Sequence, residues 1–131
     1  MVLIMSIKAI DKMKKLSEIP VLSEKSSLKK ALDLMSQKHL GIACFVDDAG
    51  VLKGLLTDGD LRRLLLTRQN PLPALLVSDA LSFGNSKPTI AHGEDDIDKL
   101  QKIMNEKQIW DLPIVDSSNK LIGLLHRHDA N

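Results

Sequence analysis

The sequence predicts an α/β (α+β) fold of two tandem, pseudo-symmetric repeats, each a small sheet with two helices. Three observations carry that prediction. A shift of 69 residues lays Ser27–Asp60 over Asp96–Asp129 without a gap. Ten of the 34 pairs are identical, among them Met35/Met104, Val46/Val115, Asp47/Asp116, Gly54/Gly123, Leu55/Leu124 and Asp60/Asp129. Average composition gives about one match in sixteen, so the chain contains itself twice. Each copy then reads as an apolar stripe at helical spacing followed by two runs of strand formers around a polar turn. Finally, 131 residues, 44% of them hydrophobic, suffice for one domain or two small ones. The repeat favours two halves.

The first twelve residues form an N-terminal extension, residues 13–70 the first repeat and 71–131 the second. In the first repeat, an extended piece over 19–22 leads to Ser26 or Ser27, either of which can cap a helix carrying Leu28, Ala31, Leu32 and Met35 on one face. Ile42 to Val46 and Val51 to Leu56 make a hairpin through Asp47-Asp48-Ala49-Gly50. Thr57-Asp58-Gly59-Asp60 then opens a second helix that Pro71 and Pro73 end. In the second repeat, 89–91 is extended, and Asp95 or Asp96 caps a helix bearing Ile97, Leu100, Ile103 and Met104. Its acidic start, Glu94-Asp95-Asp96-Asp98, suits the helix dipole and lacks the alternating ligands and glycine of a calcium loop. A hairpin over 109–115 and 120–125 turns at Asp116-Ser117-Ser118-Asn119, and His126-Arg127-His128-Asp129 follows. The helix that closes the first copy is missing from the second.

Composition narrows the function classes. The 18 basic and 17 acidic residues leave a formal charge of +1, without the cationic excess that favours nucleic acid or an anionic membrane. Phe45, Phe83 and Trp110 are the only aromatic residues, too few for a base-stacking platform along a single strand. Cys44 is alone, which excludes an intrachain disulfide and points to a reducing, cytoplasmic setting. It reads as core filler, and His39 and His92 as surface residues. The apolar opening Met1–Ile7 is too short for a signal core and has no basic stretch before it, and no run reaches the roughly 20 residues of a membrane span.

The strand-to-helix junction Thr57–Asp60 is where chemistry can gather. Unpaired N–H groups and the positive end of a helix dipole converge on such a point and receive phosphate. Thr57 adds a hydroxyl, Gly59 allows close approach, and the Asp60 carboxylate can accept both hydroxyls of a ribose. The same four residues also spell a capping box, Thr57 capping and Asp60 reaching back. Arg62 or Arg63 can reach a phosphate, or both can simply be solvated. In the second copy His126 and His128 replace Thr57 and Gly59 while Asp129 is kept, a change that suits a weaker or pH-dependent site. The two histidines with Asp129 also make a conceivable metal site, although no supporting partners can be named. Trp110 aligns with Gly41, either stacking on a base or filling a second cleft.

A duplicated unit with Gly54-Leu55-Leu56-Thr57-Asp58-Gly59-Asp60, a weaker second copy Gly123-Leu124-Leu125-His126-Arg127-His128-Asp129, and the strand Asp111-Leu112-Pro113-Ile114-Val115-Asp116 resembles a CBS-domain pair, or Bateman module. Glu18-Ile19-Pro20, Leu40-Gly41, Thr57-Asp58-Gly59-Asp60-Leu61-Arg62-Arg63 and Leu125-His126-Arg127-His128-Asp129 are more narrowly similar to the C-terminal CBS pair of arabinose-5-phosphate isomerases, enzymes that feed synthesis of the lipopolysaccharide sugar Kdo. The Thr-Asp-Gly-Asp-h-Arg-Arg motif, with h apolar, also occurs in CBS pairs joined to sugar nucleotidyltransferases.

The resemblance implies a nucleotide cleft between the repeats and no catalytic residue in this chain. Thr57 and Asp60, with their neighbours Asp58, Gly59 and Arg62, would contact ribose and phosphate, and Gly41, Ile42 and Ala43 would line the base. Trp110, His126, His128 and Asp129 would form a weaker second cleft. No cofactor is implied. The ligand would be regulatory: CMP-Kdo as the activated end product of the pathway, or AMP or ATP. The implied partners are a second copy, through a CBS-pair homodimer, and a sugar-isomerase domain in the same or a partner chain. A scaffold that assembles an oligomer without ligand is the competing reading.

Overall fold

The computed structural model describes residues 6–130; most of the apolar opening Met1–Ile7 and the last residue, Asn131, lie outside the described residues. In chain order the elements are α1 (Ala9–Lys12), β1 (Lys14–Lys15), β2 (Val21–Ser23), α2 (Leu28–Lys38), β3 (Ile42–Val46), β4 (Leu52–Thr57), α3 (Asp58–Thr67), α4 (Leu72–Leu76), β5 (Ala91–His92), α5 (Ile97–Lys107), β6 (Asp111–Val115) and β7 (Leu121–His126). Single 3₁₀ turns occupy Leu16–Glu18, Ala80–Phe83 and Arg127–Ala130. One sheet has the order β2-β3-β4 and the other β1-β7-β6-β5. In each, a short strand runs parallel to the first strand of an antiparallel hairpin.

The duplication is legible down to single backbone angles. His39 and Gln108, which end α2 and α5, adopt left-handed φ of 56° and 55°, and the turn residues Gly50 and Asn119 adopt 85° and 64°. Glycine and asparagine tolerate that region best, so the turns use the residues their geometry demands. Asp47 Oδ1 accepts from the N–H groups of Ala49 and Val51, and Asp116 Oδ1 does the same for Ser118 and Lys120. Both hairpins shift register at equivalent places, Phe45/Val46 and Ile114/Val115. The two halves meet at the hairpin ends, where Leu52 N donates to Asn119 O (3.0 Å) and Leu121 N to Gly50 O (3.1 Å).

Strand alternation divides the buried side chains. Ile42, Cys44, Leu52 and Leu55 of one sheet pack with Val115, Leu121 and Leu124 of the other, making a seam between the halves. The opposite face of the first sheet, with Ala43, Phe45 and Leu56, packs on α2, Leu64 and Leu75, and that of the second packs on α5 around Leu112, Ile114 and Leu125. Burial in the seam pushes the Cys44 thiol up to about 12, so it stays protonated and unreactive at neutral pH.

Three details depart from the sequence reading. Ser27 caps α2, its Oγ accepting from Lys30 N, whereas Asp96 holds the N-cap position of α5 without a side-chain capping bond. Asp96 instead accepts from Ser6 and Lys8, and Asp95 from His92 N. Pro71 and Pro73 do more than stop α3: they sit at the start of α4, where a missing N–H costs nothing. The second repeat does not end bare, since Arg127–Ala130 makes a 3₁₀ turn where α3 stands in the first. Leu65, Leu66, Leu72 and Val77, on α3 and α4 and just beyond, are exposed apolar residues.

The largest departure concerns the segments that lead into each repeat. Ala9 N donates to Asp95 O and Ile97 N to Ile7 O, while Ala80 N donates to Ser26 O and Leu28 N to Ser78 O. Lys14 then pairs with Leu124, as Asn85 pairs with Leu55. The stretch before the first repeat thus lies on the second, and the stretch between the repeats lies on the first. Where they cross, side chains are excluded: a Cβ on Gly123 would come within 2.7 Å of Lys14 O, and one on Gly54 within 2.6 Å of Asn85 O.

Candidate functional site

The cleft between the halves has a volume of about 730 Å³ and is built from the two strand-to-helix junctions. In the first repeat, Asp58 N donates to Gly41 O (3.0 Å), fixing the start of α3 beside the start of β3; in the second, Arg127 N donates to Trp110 O (2.8 Å) at the equivalent place. That backbone bond brings Gly41 and Ile42 together with Thr57–Asp60 along one wall, and Trp110 together with His126 and His128 along the other. Apart from Ala43 and Asp129, the residues assigned from sequence to two clefts line one continuous cavity.

On the first wall the capping box is formed. Thr57 Oγ1 accepts from Asp60 N (3.3 Å), and Asp60 Oδ2 accepts from Thr57 N (2.9 Å) and from its hydroxyl (3.1 Å). Asp60 Oδ1 pairs with Arg63. Capping and ligand contact are not exclusive, because a carboxylate offers about four acceptor positions. The Asp58 carboxylate lies over Gly41, and a Cβ there would push that exposed side chain aside.

The second wall is aromatic and basic. His126 Nδ1 lies 2.7 Å from Asp111 Oδ1. Burial is the main influence on Asp111 and raises its carboxyl above the ordinary value, with His126 opposing. The rings of His126 and His128 are 5.2 Å apart, and those of His128 and Trp110 5.8 Å. The Arg127 guanidinium stands 5.0 Å from the centre of the indole. Trp110 remains 55% exposed at the rim.

Two sequence-assigned residues do not line the cavity. Ala43 is fully buried toward α2, because alternate side chains of a strand face opposite ways and Ile42 takes the cleft side. Asp129 turns back to Lys14, Nζ to Oδ2 3.4 Å. His126 and His128 therefore do not share Asp129, and among the described residues no group of three or more His, Cys, Asp or Glu side chains is placed to hold a metal ion. The structure places Arg63 beside Arg62 and adds Leu55, Asn85, Pro88, Thr89, Gln108, Ile109 and Asp111 to the lining. Ile109 and Asp111 follow from the repeat as counterparts of Leu40 and Ile42; Asn85, Pro88 and Thr89 belong to the crossing segment and carry no signal in the repeat.

Two similar halves, exchanging their leading segments and enclosing a ligand-sized cleft between the start of α3 and the 3₁₀ turn Arg127–Ala130, define the class as a duplicated two-sheet module. The chain belongs to the CBS domain family, whose domain matches residues 7–67 and again 77–130. The arabinose 5-phosphate isomerase KdsD of Yersinia pestis is 33% identical over 115 residues, 86% of this chain and 33% of that protein. KdsD of Escherichia coli (strain K12) is 30% identical over 112 residues with the same coverage. The chain spans about a third of the length of these curated relatives. Among solved structures, CBSX2 in complex with AMP has a TM-score of 0.82 at 24% identity, covering 94% of this chain and 92% of that one. The CBS domain pair of MJ0100 in complex with 5′-methylthioadenosine and S-adenosyl-L-methionine has a TM-score of 0.78 at 18% identity, covering 95% and 93%. Among the described residues no helix is long and apolar enough to cross a membrane.

Proposed function

We propose that this CBS pair is a regulatory module that binds a nucleotide between its repeats and controls a sugar-phosphate isomerase of the Kdo pathway, in the same or a partner chain. The observation that carries the reading is the continuous cleft, in which a hydroxyl- and carboxylate-bearing helix start faces an indole and two imidazoles. One wall suits ribose and phosphate, the other a planar base. The solved relatives named above hold AMP or adenosyl compounds, and the curated relatives are isomerases that carry the same CBS region. AMP, ATP and the nucleotide sugar CMP-Kdo are the ligands of choice.

Trp110 is the only tryptophan and stands at the rim, so its fluorescence reports occupancy directly. Titration with AMP, ATP or CMP-Kdo is expected to change its emission saturably and to raise the melting temperature. At 100 times Kd the gain is about 2.7 kcal/mol. If none of the three changes either signal at millimolar concentration, the nucleotide reading fails.

A second reading rests on the exposed Leu65, Leu66 and Leu72 of α3 and α4, an apolar face that supports self-association of two copies. Light scattering is expected to give twice the mass of the chain. A dimer that binds no nucleotide makes the module a scaffold.

A further inference from the structure

We propose that Arg63 is the residue that selects phosphate-bearing ligands at this cleft, and that it is held ready by the carboxylate whose outer edge a ribose would take. The inference rests on the nucleotide reading above and goes on to say which group sets the charge preference.

Asp60 has two carboxylate edges with different duties. Oδ2 is spent on the helix cap, accepting from Thr57 N and Oγ1. Oδ1 is taken by Arg63 Nη2. The Asp60 side chain is 14% exposed and that of Arg63 64%, so the carboxylate is the fixed member of the pair and the guanidinium the movable one. A diol can be accepted on the outer edge only by sharing or replacing Arg63, because the inner edge cannot be released without uncapping α3.

The guanidinium also lies over the first turn of α3. A Cβ built on Gly59 would be 3.5 Å from Arg63 Nη1 and 3.9 Å from Nη2, with nothing closer. Arg63 and the first turn of α3 therefore meet at one place on the cleft wall, where Asp58 N is already given to Gly41 O and Asp60 N to Thr57 Oγ1, which leaves charge recognition to the guanidinium. The charges there explain why the arginine is needed. Asp58 and Asp60 put two carboxylates at the junction, and only Arg62 and Arg63 oppose them. Without Arg63 a phosphate would meet two negative charges against one positive. With it, a diol on Asp60 frees a planar fork one side-chain length away, suited to bidentate contact with phosphate oxygens. The second junction is built otherwise, since Asp129 turns to Lys14.

Calorimetric titration of AMP and adenosine into wild type, Arg63→Ala and Arg63→Gln tests this. Wild type should prefer AMP. Either variant should lose about tenfold or more in AMP affinity, the scale of one charge-assisted contact. Adenosine should bind as before or more tightly, because Asp60 Oδ1 is no longer occupied, so the AMP-to-adenosine ratio should fall toward one. Arg63→Gln guards against a fold defect in the alanine variant, and matching melting curves confirm both folds. Wild type that binds AMP with variants keeping its ratio overturns the role of Arg63 and leaves the nucleotide reading standing. Wild type that binds neither compound overturns both.

Discussion

Asp60→Ala is expected to abolish the nucleotide-induced rise in melting temperature while costing the protein alone only a little. The wild-type rise should be large: about 2.7 kcal/mol at 100 times Kd, or roughly 10 °C for a domain of this size. The variant removes the acceptor for a ribose diol and unties Arg63 in one step. Its own stability falls because Thr57 N loses the Asp60 Oδ2 bond, while Thr57 Oγ1 still accepts from the backbone at position 60. Loss of half a capping box costs about 0.5–2 kcal/mol. Asp60→Asn separates the two effects. Its amide oxygen can keep the bond from Thr57 N, but its NH₂ would face Arg63, so the apo melting temperature should stay closer to wild type while the ligand shift is still lost. A full ligand shift in both variants would remove Asp60 from the site.

Gly123→Val is expected to destabilise the fold strongly by displacing the leading strand. Its Cβ would lie 2.5 Å from Met13 Sδ and 2.7 Å from Lys14 O. The methionine can swing aside, but the carbonyl is fixed by the pairing of Lys14 and Lys15 with Leu124 and Gly123. Overpacking of this kind costs about 1–3 kcal/mol, or roughly 4–12 °C in melting temperature. The leading strand must shift or leave, and Lys14 would carry its ion pair to Asp129 with it. Gly59→Ala is the stability control: beyond its own stretch of helix backbone its Cβ would meet nothing nearer than Arg63 Nη1 at 3.5 Å, and alanine in a helix should be neutral or stabilise by about 0.5–1 kcal/mol. Equal melting temperatures for Gly123→Val and wild type would show that the crossing is loose.

What the sequence made legible was whatever recurs without a gap. The helices α2 and α5, both hairpins and the Thr57–Asp60 junction lie inside the 69-residue register, and their apolar periodicity places them. The leading segments escaped because their register differs by two residues: Ile7 and Ala9 correspond to Ser78 and Ala80. They share little beyond that buried alanine, since they are held by backbone bonds that any residue can make. Residues 1–12 consequently read as an N-terminal extension, although Ala9 is buried in the cluster with α5, and Lys14 and Lys15, taken as the start of the first repeat, pair with β7 of the second. The same limit hid Asn85, Pro88 and Thr89 from the site. Arg63 was visible as a residue, but only its position over Gly59 separates it from Arg62, which a motif cannot do.

The exchange of leading segments also fixes how the module carries a load. Tension applied to the backbone at Ile7 passes through the bonds to Ile97 and Asp95 and the β1–β7 pairing, and so falls on the far half rather than on the half that follows in sequence. β7 is the strand that delivers His126 to the cleft wall. A pull on the leading segment and a ligand pressing on that wall therefore bear on the same strand, the one through the Lys14–Leu124 pair and the other two residues further on, at His126.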